Sequence, residues 1–239
     1  MSPAFLIDDQ LLLDAGTVGS VLTAQEQQAI KHILVTHAHL DHIRAIPSLA
    51  DNSITAPFRH TIQIYGIAPV IRSIRKHLFN NVIWPDFTQI PSKESPVLAF
   101  KSLVLTKKYC IEDYTVQALA VDHGVPAAGF LISKNGVRFA YTGDTGPNDH
   151  FWQNASGANA LIAEVSFPDS LVSLALLTKH LTCSLLKSEL AKMSQLPGKI
   201  YITHSKPQYY KEIKEEIRLL GLSNITLLHD GDVYELGSN

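Results

Sequence analysis

The sequence predicts an α+β fold, and the predicted strands share a feature at their ends. Short apolar or alternating runs, which are typical of strands, recur along the chain, and segments with helical periodicity separate them. Four of the predicted strands also end at or just before a histidine or an aspartate: His37, His123, Asp144 and His204. Because no repeat and no low-complexity linker divides the chain, we expect a single domain over residues 1–239.

Each predicted element rests on its own periodicity. In chain order, the predicted strands are residues 5–7, 10–16, 32–36, 61–65, 115–121, 128–133, 137–141, 160–165, 199–204, 225–229 and 233–236. The predicted helices are residues 21–31, a segment from about residue 43, and residues 69–79, 170–179, 184–193 and 207–220.

Turn and cap residues set several boundaries. Asp8-Asp9 is expected to close the first hairpin, and Lys134-Asn135-Gly136 is expected to close a later one. Thr23 is the predicted N-cap of the first helix, because Glu26 stands three residues later and completes a capping box. Pro207 suits the first position of the last helix, where no backbone N–H is needed.

Composition is that of an ordinary globular protein, with 46% hydrophobic and 18% charged residues. The formal net charge is −2 and no basic block stands out, so nucleic acid is not expected as a partner. No signal peptide is visible, and no apolar run approaches the roughly 20 residues of a membrane span. We therefore expect a cytoplasmic protein without a membrane partner. Cys110 and Cys183 lack metal or redox spacing and are expected to be free thiols.

A dense group of potential metal ligands follows the third predicted strand. The run His37-Ala38-His39-Leu40-Asp41-His42 offers imidazole and carboxylate donors, which suit zinc, manganese or iron(II). A solvated loop with an adventitious site would explain this run alone. One loop cannot complete the coordination of two metals, so we expect the other strand-end residues, His123, Asp144 and His204, to converge on it.

This set of residues resembles the metallo-β-lactamase superfamily over nearly the whole chain. The resemblance implies an αββα sandwich, with two mixed β-sheets, helices on the outer faces and two divalent ions at one edge, expected to be zinc, with manganese or iron as alternatives. His37, His39 and His123 would hold one ion, and Asp41, His42 and His204 the other, with Asp144 bridging the two. Asp14 would hydrogen-bond a ligating histidine or a metal-bound water. Without the resemblance, Asp14 is more simply an aspartate that caps a turn.

Within that superfamily the chain is most similar to the class II cyclic-nucleotide phosphodiesterases. The stretches that carry this similarity are residues 36–43, 77–80, 83–86, 143–147, 164–167 and 180–182. The similarity implies hydrolysis of 3′,5′-cyclic nucleotides such as cAMP or cGMP to 5′-monophosphates, with a hydroxide shared by the two ions as the nucleophile. It also suggests a homodimer.

Asp144, Asp41 and His180 are the predicted catalytic residues under this similarity. His180 would contact the phosphate or protonate the leaving 3′-oxygen. Taken alone, His180 is as well explained as an exposed histidine at a helix end. Thr182 is a candidate phosphate contact, although an N-cap of the following helix is its stronger interpretation.

Aromatic residues could wall a pocket for the nucleobase, because every base offers a stacking face. Trp84, in a proline-containing loop, and Phe167 are the residues expected to do so. Phe79 and Phe87 are expected in the core or in dimer packing instead.

Four other functions would use a similar set of residues. A tRNA 3′-processing endonuclease has similar ligands and a comparable histidine, but such enzymes usually carry a basic or Gly/Pro-rich arm, and none is visible here. A glyoxalase II-type thioesterase needs an additional C-terminal helical domain, and a flavin-linked diiron protein needs glutamate where His39 stands. A metal- or nucleotide-binding sensor without turnover is the non-enzymatic alternative.

Overall fold

A computed structural model describes residues 2–54 and 60–237, which divide into two units. Residues 2–104 belong to the N-terminal unit and residues 105–237 to the C-terminal unit. Each unit is built on one sheet, and in both sheets parallel and antiparallel pairs occur together. A single domain over residues 1–239 stays a prediction.

The N-terminal unit contains a five-stranded sheet in the spatial order β1-β2-β3-β4-β5. Its strands are β1 (Phe5–Ile7), β2 (Leu11–Leu13), β3 (His32–Leu34), β4 (Ile62–Ile67) and β5 (Leu98–Leu103). The first pair is antiparallel and the other three pairs are parallel. Its helices are α1 (Ala24–Ala29), α2 (Leu40–Ile43), α3 (Ile46–Ile54) and α4 (Ala68–His77).

The predicted hairpin and the predicted capping box are both confirmed. β1 and β2 pair around a turn in which Asp8 and Asp9 have positive φ values. The Thr23 hydroxyl accepts the Glu26 N–H at 3.3 Å, and the Glu26 carboxylate accepts the Thr23 N–H at 2.7 Å. Because Thr23 has an extended backbone, α1 begins at Ala24 and not at residue 21.

The C-terminal unit contains a seven-stranded sheet in the order β12-β11-β10-β9-β8-β7-β6. Its strands are β6 (Lys108–Ile111), β7 (Tyr114–Ala120), β8 (Ala128–Lys134), β9 (Val137–Tyr141), β10 (Ala160–Glu164), β11 (Lys199–Thr203) and β12 (Ile225–Leu227). β6 to β9 form an antiparallel meander, and β9 to β12 are parallel neighbours. The turn between β8 and β9 has positive φ at Asn135 and Gly136, as the predicted hairpin requires.

Helices of the C-terminal unit connect or follow its parallel strands. They are α5 (His150–Ala155), α6 (Val172–Thr178), α7 (Cys183–Leu190) and α8 (Tyr210–Leu219), with 3-10 turns at Asp169–Leu171 and Pro207–Tyr209. The side chains of Phe151, Trp152, Leu161 and Ile213 are fully buried in one core cluster of this unit. Cys183 lies in the same cluster, Cys110 is exposed, and both thiols are free as predicted.

Several predicted boundaries are wrong. Residues 233–236 form no strand pairing within the part of the chain that the structure describes; Val233 is 89% exposed and Tyr234 packs on Tyr201. β5, β6 and α5 were not predicted, and the helix expected from about residue 43 begins at Leu40.

The register of the parallel strands determines where the candidate site residues lie. Leu13 stands opposite Leu34 in the N-terminal sheet, so the residues that follow β2 and β3 lie at one edge. In the C-terminal sheet Glu164 stands opposite Thr203, and Ile162 opposite Tyr141. Since the carboxyl ends of parallel strands meet at one sheet edge, each unit gathers its strand-end residues there.

Candidate metal centre

The N-terminal half-site comprises Asp14, Thr36, His37, His39, Asp41 and His42, which follow β2 and β3 or belong to α2. Asp14 directly follows β2, and its backbone N–H donates to the Leu34 carbonyl at 2.8 Å. Asp14 has a φ of +52°, a left-handed conformation that is uncommon for residues with a side chain. Its carboxyl group is completely buried.

The Asp14 carboxylate organises this half-site. One of its oxygens accepts the Thr36 backbone N–H, and the other accepts the Thr36 hydroxyl, each at 2.8 Å. The second oxygen also lies 2.8 Å from Nδ1 of His42. The predicted contact of Asp14 with a candidate ligand histidine is therefore present.

The candidate ligands of this unit lie close together. The ring centroids of His37 and His42 are 4.1 Å apart, and those of His37 and His39 are 4.6 Å apart. His37 and His42 are buried, whereas His39 is exposed and Asp41 is partly exposed. Asp41 and His42 stand in the first turn of α2 and not in the predicted loop, because α2 begins directly after His39.

Gly16 permits this arrangement, and the sequence did not reveal its role. A Cβ atom at position 16 would lie 2.1 Å from the Asp41 carbonyl oxygen and 2.7 Å from that of Pro3. The neighbouring Ala15 N–H donates to the His42 carbonyl at 2.7 Å. The chain after β2 therefore packs against α2 at a distance that only glycine allows.

The C-terminal half-site comprises His123, Asp144, Glu164, Ser166, His180 and His204, which follow or end strands except for His180, which lies between α6 and α7. One donor atom each of Asp144, Glu164 and His180 lie within 4.8 Å of one another. Nε2 of His204 is 3.3 Å from the Asp144 carboxylate. Two ligands that are about 2 Å from a tetrahedral zinc ion are about 3.3 Å apart, so this spacing fits a shared cation.

Glu164 is the main residue that the sequence analysis left out of the site. Its side chain is fully buried, and Oε1 lies 2.7 Å from Nδ1 of His180 and accepts the Thr145 N–H at 3.1 Å. Oε2 accepts the Ser166 hydroxyl at 2.7 Å. A glutamate that ends the apolar run Ala160–Glu164 follows the same strand-end pattern as the predicted ligands, and that signal could have found it.

His180 is only slightly exposed, and Glu164 controls its protonation. Burial disfavours the imidazolium, but the hydrogen bond to Glu164 and the negative charges of Glu164 and Asp144 outweigh burial. The pKa of His180 therefore lies above its ordinary value. The ring contacts those of His123 and His204, with centroids 5.2 Å and 5.8 Å away.

His123 is oriented by the end of α6. Its Nδ1 lies 3.1 Å from the carbonyl oxygen of Lys179, which caps α6 with a φ of +57°. The Lys179 ammonium also forms a 2.7 Å ion pair with Asp122, the residue before His123. Lys179 thus precedes His180 in the sequence and orients His123 through its carbonyl oxygen.

The donor chemistry of both half-sites fits a divalent metal. His37, His42, His123 and His204 each place Nδ1 within hydrogen-bonding distance of a protein oxygen. An imidazole whose Nδ1 carries the proton presents its lone pair at Nε2, and protein metal ligands are usually fixed in this way. Neither half-site contains a cysteine, so the donors are nitrogen and oxygen, as zinc, manganese and iron accept.

The predicted substrate-contact residues have different surroundings. Thr182 is buried and its hydroxyl accepts the Leu185 N–H at 3.4 Å, which supports the N-cap interpretation. The Phe167 ring packs edge-on against His180 at 5.8 Å, with the Lys206 ammonium 5.0 Å from its centroid. Trp84 lies in the N-terminal unit, in the loop after α4, where its carbonyl accepts the Asn81 N–H at 2.9 Å.

One further expectation is met. Phe79 and Phe87 are each 3% exposed, which confirms that both belong to the core. Among the described residues, no helix is both long enough and apolar enough to cross a bilayer.

Comparison with known proteins identifies relatives of this chain. It is 28% identical over 229 residues to a probable 3′,5′-cyclic-nucleotide phosphodiesterase of Yersinia pestis, a match that covers 83% of this chain and 63% of the relative. It is 24% identical over 190 residues to ribonuclease Z of Pyrococcus abyssi, covering 59% of each. The chain thus spans less than two thirds of the length of either relative.

The fold is also found in solved structures. The crystal structure of the metallo-β-lactamase fold protein YhfI from Bacillus subtilis matches with a TM-score of 0.76 and 18% identity, over 97% of this chain and 89% of that one. A family model described as the beta-lactamase superfamily domain matches residues 10–200, a range that includes β2 to β10. The chain, with its two mixed sheets and flanking helices, belongs to the metallo-β-lactamase superfamily.

Proposed function

We propose that this protein is a metal-dependent phosphodiesterase that hydrolyses 3′,5′-cyclic nucleotides to 5′-monophosphates. The observation that carries the proposal is the pairing of His180 with buried Glu164 beside Asp144, because it provides a proton donor next to a candidate metal ligand. The Yersinia pestis relative, named as a probable 3′,5′-cyclic-nucleotide phosphodiesterase, supports the choice of substrate.

The proposed metal centre uses residues of both half-sites. His37, His39 and His123 would hold one divalent ion, and Asp41, His42 and His204 would hold the second, with Asp144 as the proposed common ligand. Zinc is the proposed metal, since imidazole and carboxylate donors suit it. Two such ions, when bound, activate a water molecule and offset the negative charge that develops on the phosphoryl group.

His180 completes the reaction as the general acid. With Nδ1 held by Glu164, the imidazolium carries its other proton at Nε2, the atom from which the leaving 3′-oxygen would be protonated. Burial of Glu164 keeps this hydrogen bond out of competition with water. The Glu164 carboxylate thereby stabilises the charged imidazolium and fixes the direction of its second N–H.

Other substrate contacts are proposed as well. Phe167 is proposed as a wall of the base pocket, because its ring adjoins His180. Trp84 stays a predicted wall of the base pocket. Thr182 stays a predicted phosphate contact, although its buried hydroxyl is already engaged as a helix cap. A homodimer and a cytoplasmic location also stay predictions.

A tRNA 3′-processing endonuclease is the second candidate function, and the similarity to ribonuclease Z of Pyrococcus abyssi favours it. Such an enzyme would cleave a phosphodiester with the same proposed residues. Its substrate is a large polyanion, however, and the chain has a net charge of −2. The charge therefore favours a small substrate.

A substrate comparison tests the proposal. The full chain, supplied with zinc or manganese, is incubated with cAMP, with cGMP and with a precursor tRNA, and the products are separated by chromatography. We expect release of 5′-AMP or 5′-GMP that a chelator abolishes, and no cleavage of the tRNA. Cleavage of the tRNA with no turnover of either cyclic nucleotide would establish the alternative.

A further inference from the structure

The two half-sites contain the same hydrogen-bonding arrangement, although they lie in different units and share no sequence. In each, a buried carboxylate contacts Nδ1 of one histidine directly. The same carboxylate reaches Nδ1 of a second histidine through a hydroxyl group. Thr36 supplies the hydroxyl in the N-terminal half-site, and Ser166 supplies it in the C-terminal one.

In the N-terminal half-site the direction of the hydrogen bonds can be assigned. The Thr36 hydroxyl has one proton and donates it to the Asp14 carboxylate at 2.8 Å. The 3.0 Å contact between the same oxygen and Nδ1 of His37 must then be donated by the imidazole. His37 is therefore held with its proton on Nδ1 and its lone pair on Nε2.

The C-terminal half-site follows the same logic. The Ser166 hydroxyl donates to Oε2 of Glu164 at 2.7 Å, so Nδ1 of His204, which is 3.3 Å from the Ser166 oxygen, must donate to that oxygen. His180 is the directly bonded partner, because its Nδ1 is closer to Glu164, at 2.7 Å, than to Ser166, at 3.2 Å.

Burial makes both hydroxyl groups hard to replace. Thr36 and Ser166 are each 0% exposed. If a substitution removed either hydroxyl group, bulk solvent would therefore not reach the position to replace its oxygen. In the other tautomer, Nδ1 would face an oxygen whose only proton is already donated elsewhere. Such a contact between two lone pairs leaves buried polar atoms unsatisfied, which costs about 1–3 kcal/mol.

We propose that Thr36 and Ser166 are paired positioning residues, whose hydroxyl groups hold His37 and His204 in the tautomer that presents Nε2 to a metal. The proposal rests on the proposed function, in which these two histidines are ligands. It assigns Thr36 and Ser166 to the metal centre although neither contacts an ion. Each hydroxyl acts on one proposed ion, His37 belonging to the first set of ligands and His204 to the second.

The first test measures the tautomers directly and needs neither metal nor substrate. Nitrogen-15 NMR of the imidazole rings, in the metal-free full chain at a pH where histidine is neutral, distinguishes protonated from unprotonated ring nitrogens. We expect His37 and His204 with the proton on Nδ1. Thr36→Val should lose this preference at His37 alone, and Ser166→Ala should lose it at His204 alone. Thr36→Ser and Ser166→Thr, which keep the hydroxyl, should retain it.

The second test measures zinc affinity by competition with a chelator. Thr36→Val and Ser166→Ala should each weaken one zinc site about 10- to 100-fold. Thr36→Ser and Ser166→Thr, which keep the hydroxyl group, should retain most of the wild-type affinity. Unchanged tautomers and unchanged affinity in Ser166→Ala, the variant least apt to disturb folding, would overturn the proposal. If the tautomers shift as expected but cAMP is not hydrolysed by the wild-type chain, the positioning role stands and the proposed substrate fails.

Discussion

Replacing Asp144 by alanine is expected to lower phosphodiesterase turnover by about two to three orders of magnitude, because the proposed metal pair, which Asp144 would bridge, stabilises the transition state by several kcal/mol. Asp144 is almost completely buried and lies 3.3 Å from His204 and close to His180. Removal of its charge would leave the proposed cations without their common anion. Turnover of cAMP and bound zinc, measured on the same sample, should both fall.

A second variant and a control distinguish loss of the Asp144 charge from loss of folding. Asp144→Asn keeps the volume of the side chain but cannot bridge two cations with full negative charge, so it should resemble Asp144→Ala in activity. Asp113→Asn is the control, since Asp113 is 58% exposed and pairs with Lys134 at 2.7 Å in the C-terminal unit. Wild-type turnover in Asp144→Asn would contradict the bridging role.

Replacing His180 by alanine is expected to lower turnover about 10²- to 10⁴-fold while zinc content stays at the wild-type level, the range that loss of a general acid produces. His180 is held by Glu164 at 2.7 Å and is not among the proposed ligands. The defect should be smaller for a substrate with a leaving group that needs no proton, such as a p-nitrophenyl phosphodiester. A loss of zinc in place of this pattern would refute the assignment.

Glu164→Gln tests the partner of His180. The amide keeps the size of the side chain but removes the charge that raises the pKa of His180, so the imidazolium should be less populated. We expect a loss of about 10- to 100-fold, comparable with that of other residues that orient catalytic groups. His150→Ala is the control, because His150 is exposed at the start of α5.

Much of the candidate site could be predicted because it lies at strand ends. An apolar strand that stops at a histidine or aspartate is visible in the sequence, and this pattern indicated His37, His123, Asp144 and His204. The parallel register of the strands then brings such residues to one edge in each unit. At these positions the local sequence pattern and the pairing of strands distant in sequence lead to the same prediction.

The remaining part depends on contacts that no local pattern encodes. Ser166 and Thr36 matter through hydroxyl groups that join side chains distant in sequence, and serine or threonine is unremarkable at either position. Gly16 is fixed by the approach of the Asp41 carbonyl, which is 25 residues away. α2 was misplaced because its four residues are too few to show helical periodicity.

The most direct test of the metal centre is the amount of zinc bound per chain, measured by elemental analysis after dialysis against a zinc buffer. Two ions per wild-type chain, and a loss of zinc in both His37→Ala and His204→Ala, are predicted, because each variant removes a proposed ligand of a different ion. Hydrolysis of cAMP should fall in proportion as a chelator withdraws the ions. A wild-type chain that binds no zinc, manganese or iron, or that keeps its full metal content in both variants, would contradict the proposed dinuclear centre.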